Sequence, residues 1–186
     1  FGTGLTLMPN INGGTLTPTF YSTAGGTYFY WDGSSWINTN HSVGDSLAAN
    51  LGGCGQYIYS LNGSTGEVYR YNGLNNGILL TTITGFSGGG PYDIATDCDC
   101  NFYVVKTETV GTGQYMKKFS PNGTLISTYS LINMPNSFAG PGFAISCNKV
   151  YVNIFTFSPT GFFIGSISGS AVNFTPTPNF TAQIGD

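Results

Sequence analysis

Short apolar runs with strand-like alternation predict a chain built from β-strands. The runs are rich in Tyr, Phe, Val, Ile and Thr, and they recur about every ten residues with turn-forming residues between them. No segment keeps apolar residues at helical spacing over several turns, and Gly or Pro interrupts the chain every few residues. We therefore predict an all-β fold. The clearest predicted strands cover residues 27–31, 56–60, 67–71, 78–83, 101–105, 114–119, 125–129, 149–153 and 162–167.

A hairpin is predicted between two aromatic strand ends at Trp31 and Trp36. The intervening Asp32-Gly33 pair suits the positive φ that a tight hairpin turn requires. The two indole rings are candidate platforms for a sugar ring, because they offer flat apolar faces. The alternative interpretation is packing between paired strands.

Sequence repeats organise the predicted strands into larger units. The segments 90–96 and 140–146 both begin Gly-Pro, continue as a strand, and lead through a cysteine-bearing turn into a Tyr-Val-rich run. The turns 119–123 (FSPNG) and 157–161 (FSPTG) are alike, and each precedes a β-rich run. A looser copy begins at Leu51. This pattern predicts repeated antiparallel units of four strands.

The best-preserved unit resembles the NHL-type and SMP-30-type blades of β-propellers. The resemblance rests on Pro91-x-x-Ile94-Ala95-x-Asp97, on NFYVV at 101–105 and on KFSPNGTL at 118–125, and it extends over about residues 51–168. It implies a propeller-like fold, either a small four-bladed ring or an incomplete one. The metal-ligating pattern of lactonase-like members has no counterpart here, so the resemblance implies a fold and no activity. The composition is also similar to that of large repetitive surface proteins of gliding bacteria.

The repeats divide the chain into three predicted segments. We expect an extended N-terminal segment (1–14), a repeat domain (15–171) and an extended Thr/Pro-rich C-terminal segment (172–186). Arms of this kind can add a strand to a neighbouring molecule, and we expect them to mediate assembly; flexible linkers are the alternative. The apolar residues at strand-like spacing in the two arms are Leu5, Leu7, Ile11, Phe174, Phe180 and Ile184.

The charge content argues against binding of nucleic acid, and the lengths of the apolar runs argue against insertion into a membrane. Only 7% of the 186 residues are charged and the net charge is -3, so no basic stripe is available for nucleic acid. No apolar run approaches the roughly 20 residues that span a bilayer, so membrane insertion is not expected.

A chain that begins at Phe1 favours a processed secreted protein or a fragment. The candidate sites of glycan attachment are Asn40, Asn62, Asn122, Asn173 and Asn179.

All four cysteines fall in turns between the first two strands of successive units, at Cys54, Cys98, Cys100 and Cys147. In a propeller the equivalent turns of adjacent blades are neighbours, so the resemblance favours the disulfides Cys54–Cys98 and Cys100–Cys147 among the three possible pairings. This pairing requires the turn to separate Cys98 from Cys100, because residues i and i+2 of a straight strand point the same way.

Metal binding at the cysteine turns is the weaker interpretation. The cysteine spacing and the distant single histidine do not fit a zinc site, and a redox pair would prefer two intervening residues beside a helix. Asp97 and Asp99 are calcium candidates, but they supply only two of the six or more oxygen ligands that Ca²⁺ takes. Their alternative role is to stabilise the turn.

Catalytic residues are not evident in the sequence. His41, Ser42 and Asp45 lie too close together in one loop to form a nucleophile, a base and its orienting acid. We expect a protein that is not an enzyme and has no cofactor. The predicted function is an extracellular structural or adhesive subunit that assembles with copies of itself or with other surface proteins. The alternative is a secreted propeller-type module that binds carbohydrate or another surface ligand.

Overall fold

The chain forms four consecutive antiparallel units of four strands each. The computed structural model describes residues 5–9, 18–24, 27–42, 49–55, 57–62, 65–72, 77–84, 92–106, 115–134, 142–154 and 161–176, and it contains no helix among them. Unit 1 consists of β1 (Leu5–Pro9), β2 (Pro18–Ala24), β3 (Thr27–Trp31) and β4 (Trp36–Ser42). Unit 2 consists of β5 (Ala49–Cys54), β6 (Tyr57–Asn62), β7 (Glu67–Asn72) and β8 (Ile78–Thr82). Unit 3 consists of β9 (Tyr92–Thr96), β10 (Phe102–Lys106), β11 (Tyr115–Phe119) and β12 (Leu125–Ile132). Unit 4 consists of β13 (Gly142–Ser146), β14 (Lys149–Ile154), β15 (Gly161–Ser168) and β16 (Ala171–Pro176).

The all-β prediction is confirmed, and each of the predicted strands is present. The strands also extend into both segments that the sequence predicted to be extended arms. β1 pairs with β2 from Leu5↔Ser22 to Pro9↔Pro18, and β16 pairs with β15 from Phe163↔Pro176 to Ser168↔Ala171. Unit 1 therefore includes residues of the N-terminal segment, and unit 4 includes residues of the C-terminal segment.

The first strands of consecutive units lie side by side. β1 lies against β5, β5 against β9, and β9 against β13, while the described residues of β1 and β13 make no comparable contact. Units 3 and 4 also share one eight-stranded sheet, because β12 pairs in parallel with β16 from Ser130↔Ala171 to Ile132↔Asn173. Since β9 lies beside β13, this sheet is nearly closed into a barrel.

Unit 3 lies in the middle of the hydrophobic core. Phe102 and Val104 of β10 pack against unit 2, whereas Tyr103 packs against unit 4. These three residues and Val105 are between 0% and 3% exposed, as expected for a strand covered on both faces. The first cluster joins units 2 and 3 and contains Tyr59, Leu61, Val68, Ile83, Ile94, Phe102, Val104 and Phe119. The second joins units 3 and 4 and contains Tyr103, Met116, Met134, Val150, Val152, Phe163, Val172 and Phe174.

The two similar FSPxG sequence motifs do not occupy equivalent places in their units. The turn at 119–123 joins β11 to β12, and Gly123 closes it with a φ of 88° and an N–H that donates to Ser120 at 2.9 Å. Gly161, the last residue of the other copy, begins β15, which is the third strand of unit 4. The expectation that the two copies of the motif occupy equivalent places is therefore wrong, because the motif precedes a fourth strand in unit 3 and a third strand in unit 4.

Candidate functional site

A disulfide joins the cysteine-bearing turns of units 2 and 3. It links Cys54, at the end of β5, to Cys100, in the turn after β9, and their Cα atoms are 5.3 Å apart. Cys98 and Cys147 are exposed free thiols. The prediction of a disulfide between successive repeats is confirmed, but the expected pairing of Cys54 with Cys98 and of Cys100 with Cys147 is wrong.

The backbone of the turn explains why Cys100, and not Cys98, reaches unit 2. The N–H of Cys100 donates to the carbonyl of Asp97 at 3.1 Å, and the N–H of Asp97 donates to the carbonyl of Asn101 at 3.0 Å. This closed turn holds Cys100 in the left-handed region, with a φ of 61°, which redirects its side chain relative to that of Cys98. The turn therefore separates the two cysteines, as expected, but Cys100 and not Cys98 is bonded to unit 2.

Polar contacts flank the disulfide along the seam between units 2 and 3. The hydroxyl of Tyr59 donates to the carbonyl of Cys100 at 3.3 Å, and the hydroxyl of Thr96 donates to the carbonyl of Gly53. Further out, the guanidinium of Arg70 donates to the carbonyl of Pro121 at 2.8 Å. These bonds satisfy polar groups at the border of the apolar cluster, so the seam has a fixed register.

Asp97 is the centre of a hydrogen-bond network that stabilises the turn. Its carboxylate accepts the backbone N–H groups of Asp99 (3.0 Å) and Asn101 (2.9 Å) and the hydroxyl of Tyr103 (2.9 Å), and the ammonium of Lys118 lies 3.2 Å away. Burial acts to raise the pKa of Asp97, but the hydrogen bonds from Asn101, Tyr103 and Lys118 together hold that pKa below its ordinary value.

The calcium prediction finds little support in this geometry. Both oxygens of Asp97 already accept hydrogen bonds from protein groups, and Asp99 is exposed at the tip of the turn. In the described part of the chain, no three His, Cys, Asp or Glu side chains are grouped so that they would hold a metal ion. We therefore assign Asp97 to the turn.

The predicted Trp31–Trp36 hairpin is present and leaves one indole partly open. The residues are register partners, and their rings meet edge to face at 5.7 Å. Gly33 has a φ of 109°, and the carboxylate of Asp32 accepts the N–H groups of Ser34 and Ser35 at 2.8 Å. Hydrogen bonds from those backbone groups lower the pKa of Asp32. Trp36 is 39% exposed, which leaves part of its ring accessible to a ligand.

The candidate glycan sites differ in accessibility. Asn40, Asn122 and Asn173 are exposed, and Asn40 has a φ of 59°. Asn62 is half-buried, and its side-chain oxygen accepts the N–H of Thr65 at 2.9 Å. Asn179 lies outside the described residues.

The candidate assembly residues are not all available for a neighbouring molecule. Phe174 is 2% exposed within the second core cluster, so it belongs to the interior of its own chain. Leu5 and Leu7 lie in β1, opposite Ser22 and Phe20. The remaining three, Ile11, Phe180 and Ile184, lie outside the described residues.

Exposed apolar residues on the fourth strands of units 2 and 3 were not predicted as a site. Ile78 and Leu79 of β8 are 60% and 48% exposed, and Leu125 and Ile126 of β12 are each 50% exposed. We call these four residues the outer edge. The turn that precedes β12 lies close to β8, because a Cβ on Gly123 would lie 2.6 Å from the carbonyl oxygen of Leu80. These residues were not predicted as a site because the sequence shows only that they are apolar and lie in strands. It does not determine whether their side chains face the core or the solvent.

Comparison with known proteins adds no relative. None of the described residues forms a helix of the length and apolarity needed to cross a membrane. The chain matches no protein-family model and no curated protein, so its function is inferred from its own residues and geometry.

Proposed function

We propose that this chain is a non-enzymatic extracellular subunit of a structural or adhesive assembly, and that copies of it associate through the outer edge. The observation that carries the proposal is the exposure of Ile78, Leu79, Leu125 and Ile126 on two strands without a charged residue. Monomeric proteins usually protect such strands with lysines or other charges.

The strand pairing supports a contact at this place. Among the described strands, β8 pairs only with β7, so its other side presents unpaired backbone N–H and C=O groups. The β7–β8 and β11–β12 pairs each contain a register shift, which twists the strand locally and shortens any ladder with a second molecule. We therefore expect apolar side chains to supply most of the contact energy, at about 25 cal/mol for each Å² of apolar surface that is buried.

The contact is assigned to the outer edge and not to the terminal segments. Val172 and Phe174 are already buried within unit 4, so this part of the C-terminal segment is used inside the chain. The Cys54–Cys100 disulfide favours an oxidising, extracellular setting.

A β-propeller-like arrangement is part of the proposal. Four antiparallel units follow one another, and their first strands are neighbours in chain order, as the blades of a propeller are. Since β1 and β13 make no comparable contact in the described part of the chain, we infer an incomplete ring.

Size-exclusion chromatography with light scattering tests the assembly. We expect the mass of the wild-type protein to rise with concentration. The double variant Leu79→Lys/Ile126→Lys should stay monomeric and keep its melting temperature, because it places two charges on the outer edge. The matched control Ser168→Lys/Asn173→Lys adds the same charge to exposed positions of unit 4 and should still assemble. A wild-type protein that is monomeric at every concentration, or a Leu79→Lys/Ile126→Lys variant that assembles normally, would contradict the proposal.

A second candidate function is the binding of carbohydrate at the Trp31–Trp36 hairpin. It is favoured by the partly exposed ring of Trp36 beside the hydroxyl-bearing Ser34 and Ser35. Sugar binding would quench tryptophan fluorescence, and Trp36→Ala should abolish the quenching while the fold is retained. Absence of binding across a panel of glycans would remove this candidate.

A further inference from the structure

The two free thiols of the chain lie at the same end of neighbouring strands. β12 and β16 are parallel, and each is separated from the first strand of its unit by the same antiparallel alternation. β9 and β13 therefore run in the same direction. Cys98 follows β9 and Cys147 follows β13, so both turns lie at one end of the nearly closed sheet.

The approach of Phe143 to Asp93 indicates the relative heights of these turns. β9 lies beside β13, and the backbone N–H of Phe143 in β13 acts on the carboxylate of Asp93 in β9 to lower its pKa. Cys98 is five residues beyond Asp93, and Cys147 is four residues beyond Phe143. β9 ends at Thr96 and β13 ends at Ser146, three residues beyond Asp93 and Phe143 respectively, so the two turns begin at about the same height.

The neighbouring seam already contains a disulfide of this kind. There, the Thr96–Gly53 hydrogen bond fixes β9 beside β5, and the turns beyond it are joined through Cys54 and Cys100. Because Cys100 is committed to unit 2, Cys98 is the thiol of this turn that remains for unit 4.

We propose that Cys98 and Cys147 form a second disulfide, which joins unit 3 to unit 4. Neither residue is a register partner in a strand pair, so the turns can bring the two Cα atoms to the roughly 4.4–6.8 Å that a disulfide needs while the ladders stay intact. Both thiols are exposed and accessible to an oxidant.

The oxidant is a small disulfide such as oxidised glutathione. The thiolate of one cysteine attacks it, which releases one small thiol and leaves a mixed disulfide. The thiolate of the other cysteine then displaces the second small thiol. Two protein thiols are thereby oxidised to one disulfide, and one small disulfide is reduced to two thiols. Closure within the chain is favoured over linkage between chains, because tethered groups reach effective concentrations in the millimolar range.

Peptide mapping of two variants tests the pairing. After treatment with oxidised glutathione, the protein is alkylated without reduction and digested with trypsin, which separates the peptides 1–70, 71–106 and 119–149. In Cys54→Ser/Cys100→Ser, the peptides 71–106 and 119–149 should be linked, and alkylation should fall from two sites per chain to none. In Cys98→Ser, the peptides 1–70 and 71–106 should stay linked, and Cys147 should be alkylated or carry glutathione, with no link to another peptide.

Three outcomes would overturn the proposal. They are two alkylated thiols in Cys54→Ser/Cys100→Ser, a link that appears only in dimers on a non-reducing gel, and a Cys98→Ser protein in which Cys147 is linked to Cys100. If the double variant does not fold, the oxidised wild-type protein decides: peptide 119–149 should be linked to 71–106 within the monomer, and an unlinked 119–149 counts against the proposal.

Discussion

The two faces of unit 3 hold their neighbours by different means. Towards unit 2, Phe102 and Val104 pack into an apolar cluster between separate sheets, and the Cys54–Cys100 disulfide closes the seam. Towards unit 4, Tyr103 packs into a second cluster, and the parallel pairing of β12 with β16 makes one continuous sheet. Unit 4 is thus joined to unit 3 by backbone hydrogen bonds, and unit 2 is joined to unit 3 by a disulfide.

This difference bears on how each unit can open. A disulfide stabilises mainly by restricting the unfolded chain, whereas strand pairing contributes only while the folded ladder is present. We therefore expect unit 2 to depend on the redox state and unit 4 to depend on the integrity of the shared sheet.

The largest effect is expected from removal of a core ring at either seam. Phe102 is fully buried and stacks on Phe119 with ring centroids 4.9 Å apart, so Phe102→Ala should destabilise the fold by about 3–5 kcal/mol. Phe174→Ala should cost a similar amount at the other seam. Urea denaturation measures both. A loss below about 1 kcal/mol for Phe102→Ala would show that β10 is not covered on both faces.

Removal of the disulfide is expected to have the next largest effect. Cys54 and Cys100 are 46 residues apart, and closing a loop of this length stabilises a protein by about 2–4 kcal/mol. Cys54→Ser/Cys100→Ser should lower the free energy of unfolding by that amount in the absence of an oxidant. Under the same conditions Cys98→Ser serves as the control and should change it little, since the Cys98 thiol is exposed and free. Equal losses in both variants would contradict the assignment.

A pH dependence is expected from Asp93 at the seam between units 3 and 4. Burial raises the pKa of Asp93 from 3.8 to about 7, although the N–H groups of Ile94 and Phe143 act to lower it. The folded state therefore holds a proton that the unfolded state releases, so the free energy of unfolding should fall as the pH rises from about 4 to about 7. Because the residue keeps some exposed surface, we expect a loss on the order of 1–3 kcal/mol. Asp93→Asn should flatten this part of the curve; an unchanged slope would assign it to another group.

The smallest predicted effect concerns a close backbone approach between units 2 and 3. Gly123 has a φ of 88°, and a Cβ there would lie 2.6 Å from the Leu80 carbonyl oxygen. Gly169 has a φ of 58° but nothing near its added Cβ, so it is a matched control for backbone strain alone. Gly123→Ala should cost about 1–2 kcal/mol more than Gly169→Ala, as measured by thermal denaturation. Equal losses of stability in the two variants would mean that a Cβ at position 123 does not clash with the Leu80 carbonyl of β8.

Strand content was predictable because the signals are local. The aromatic alternation of 27–31 and 67–71 and the Asp32-Gly33 turn each depend on a few neighbouring residues, and the structure confirms them. The Thr and Pro residues of the C-terminal segment predicted an extended arm, and in the structure Val172 and Phe174 of this segment lie in a strand that packs into the core. Local composition carries no information about what a strand packs against.

The cysteine pairing needed three-dimensional information. Sequence placed all four cysteines in equivalent turns, but the choice between Cys98 and Cys100 depends on the left-handed conformation of Cys100. The outer edge also could not be predicted from local sequence. Strict alternation would bury one of Leu125 and Ile126, but both are exposed, beside a register shift at Phe119 in the β11–β12 pair.

Hydrogen exchange followed by mass spectrometry tests the contrast between the two seams most directly. The amides of β6 and β7 in unit 2 and of β14 and β15 in unit 4 would be compared before and after reduction of Cys54–Cys100. We predict faster exchange in unit 2, with the protection of unit 4 unchanged, because reduction does not remove the β12–β16 pairing that holds unit 4 to unit 3. Equal acceleration in both units, or none in unit 2, would contradict the account.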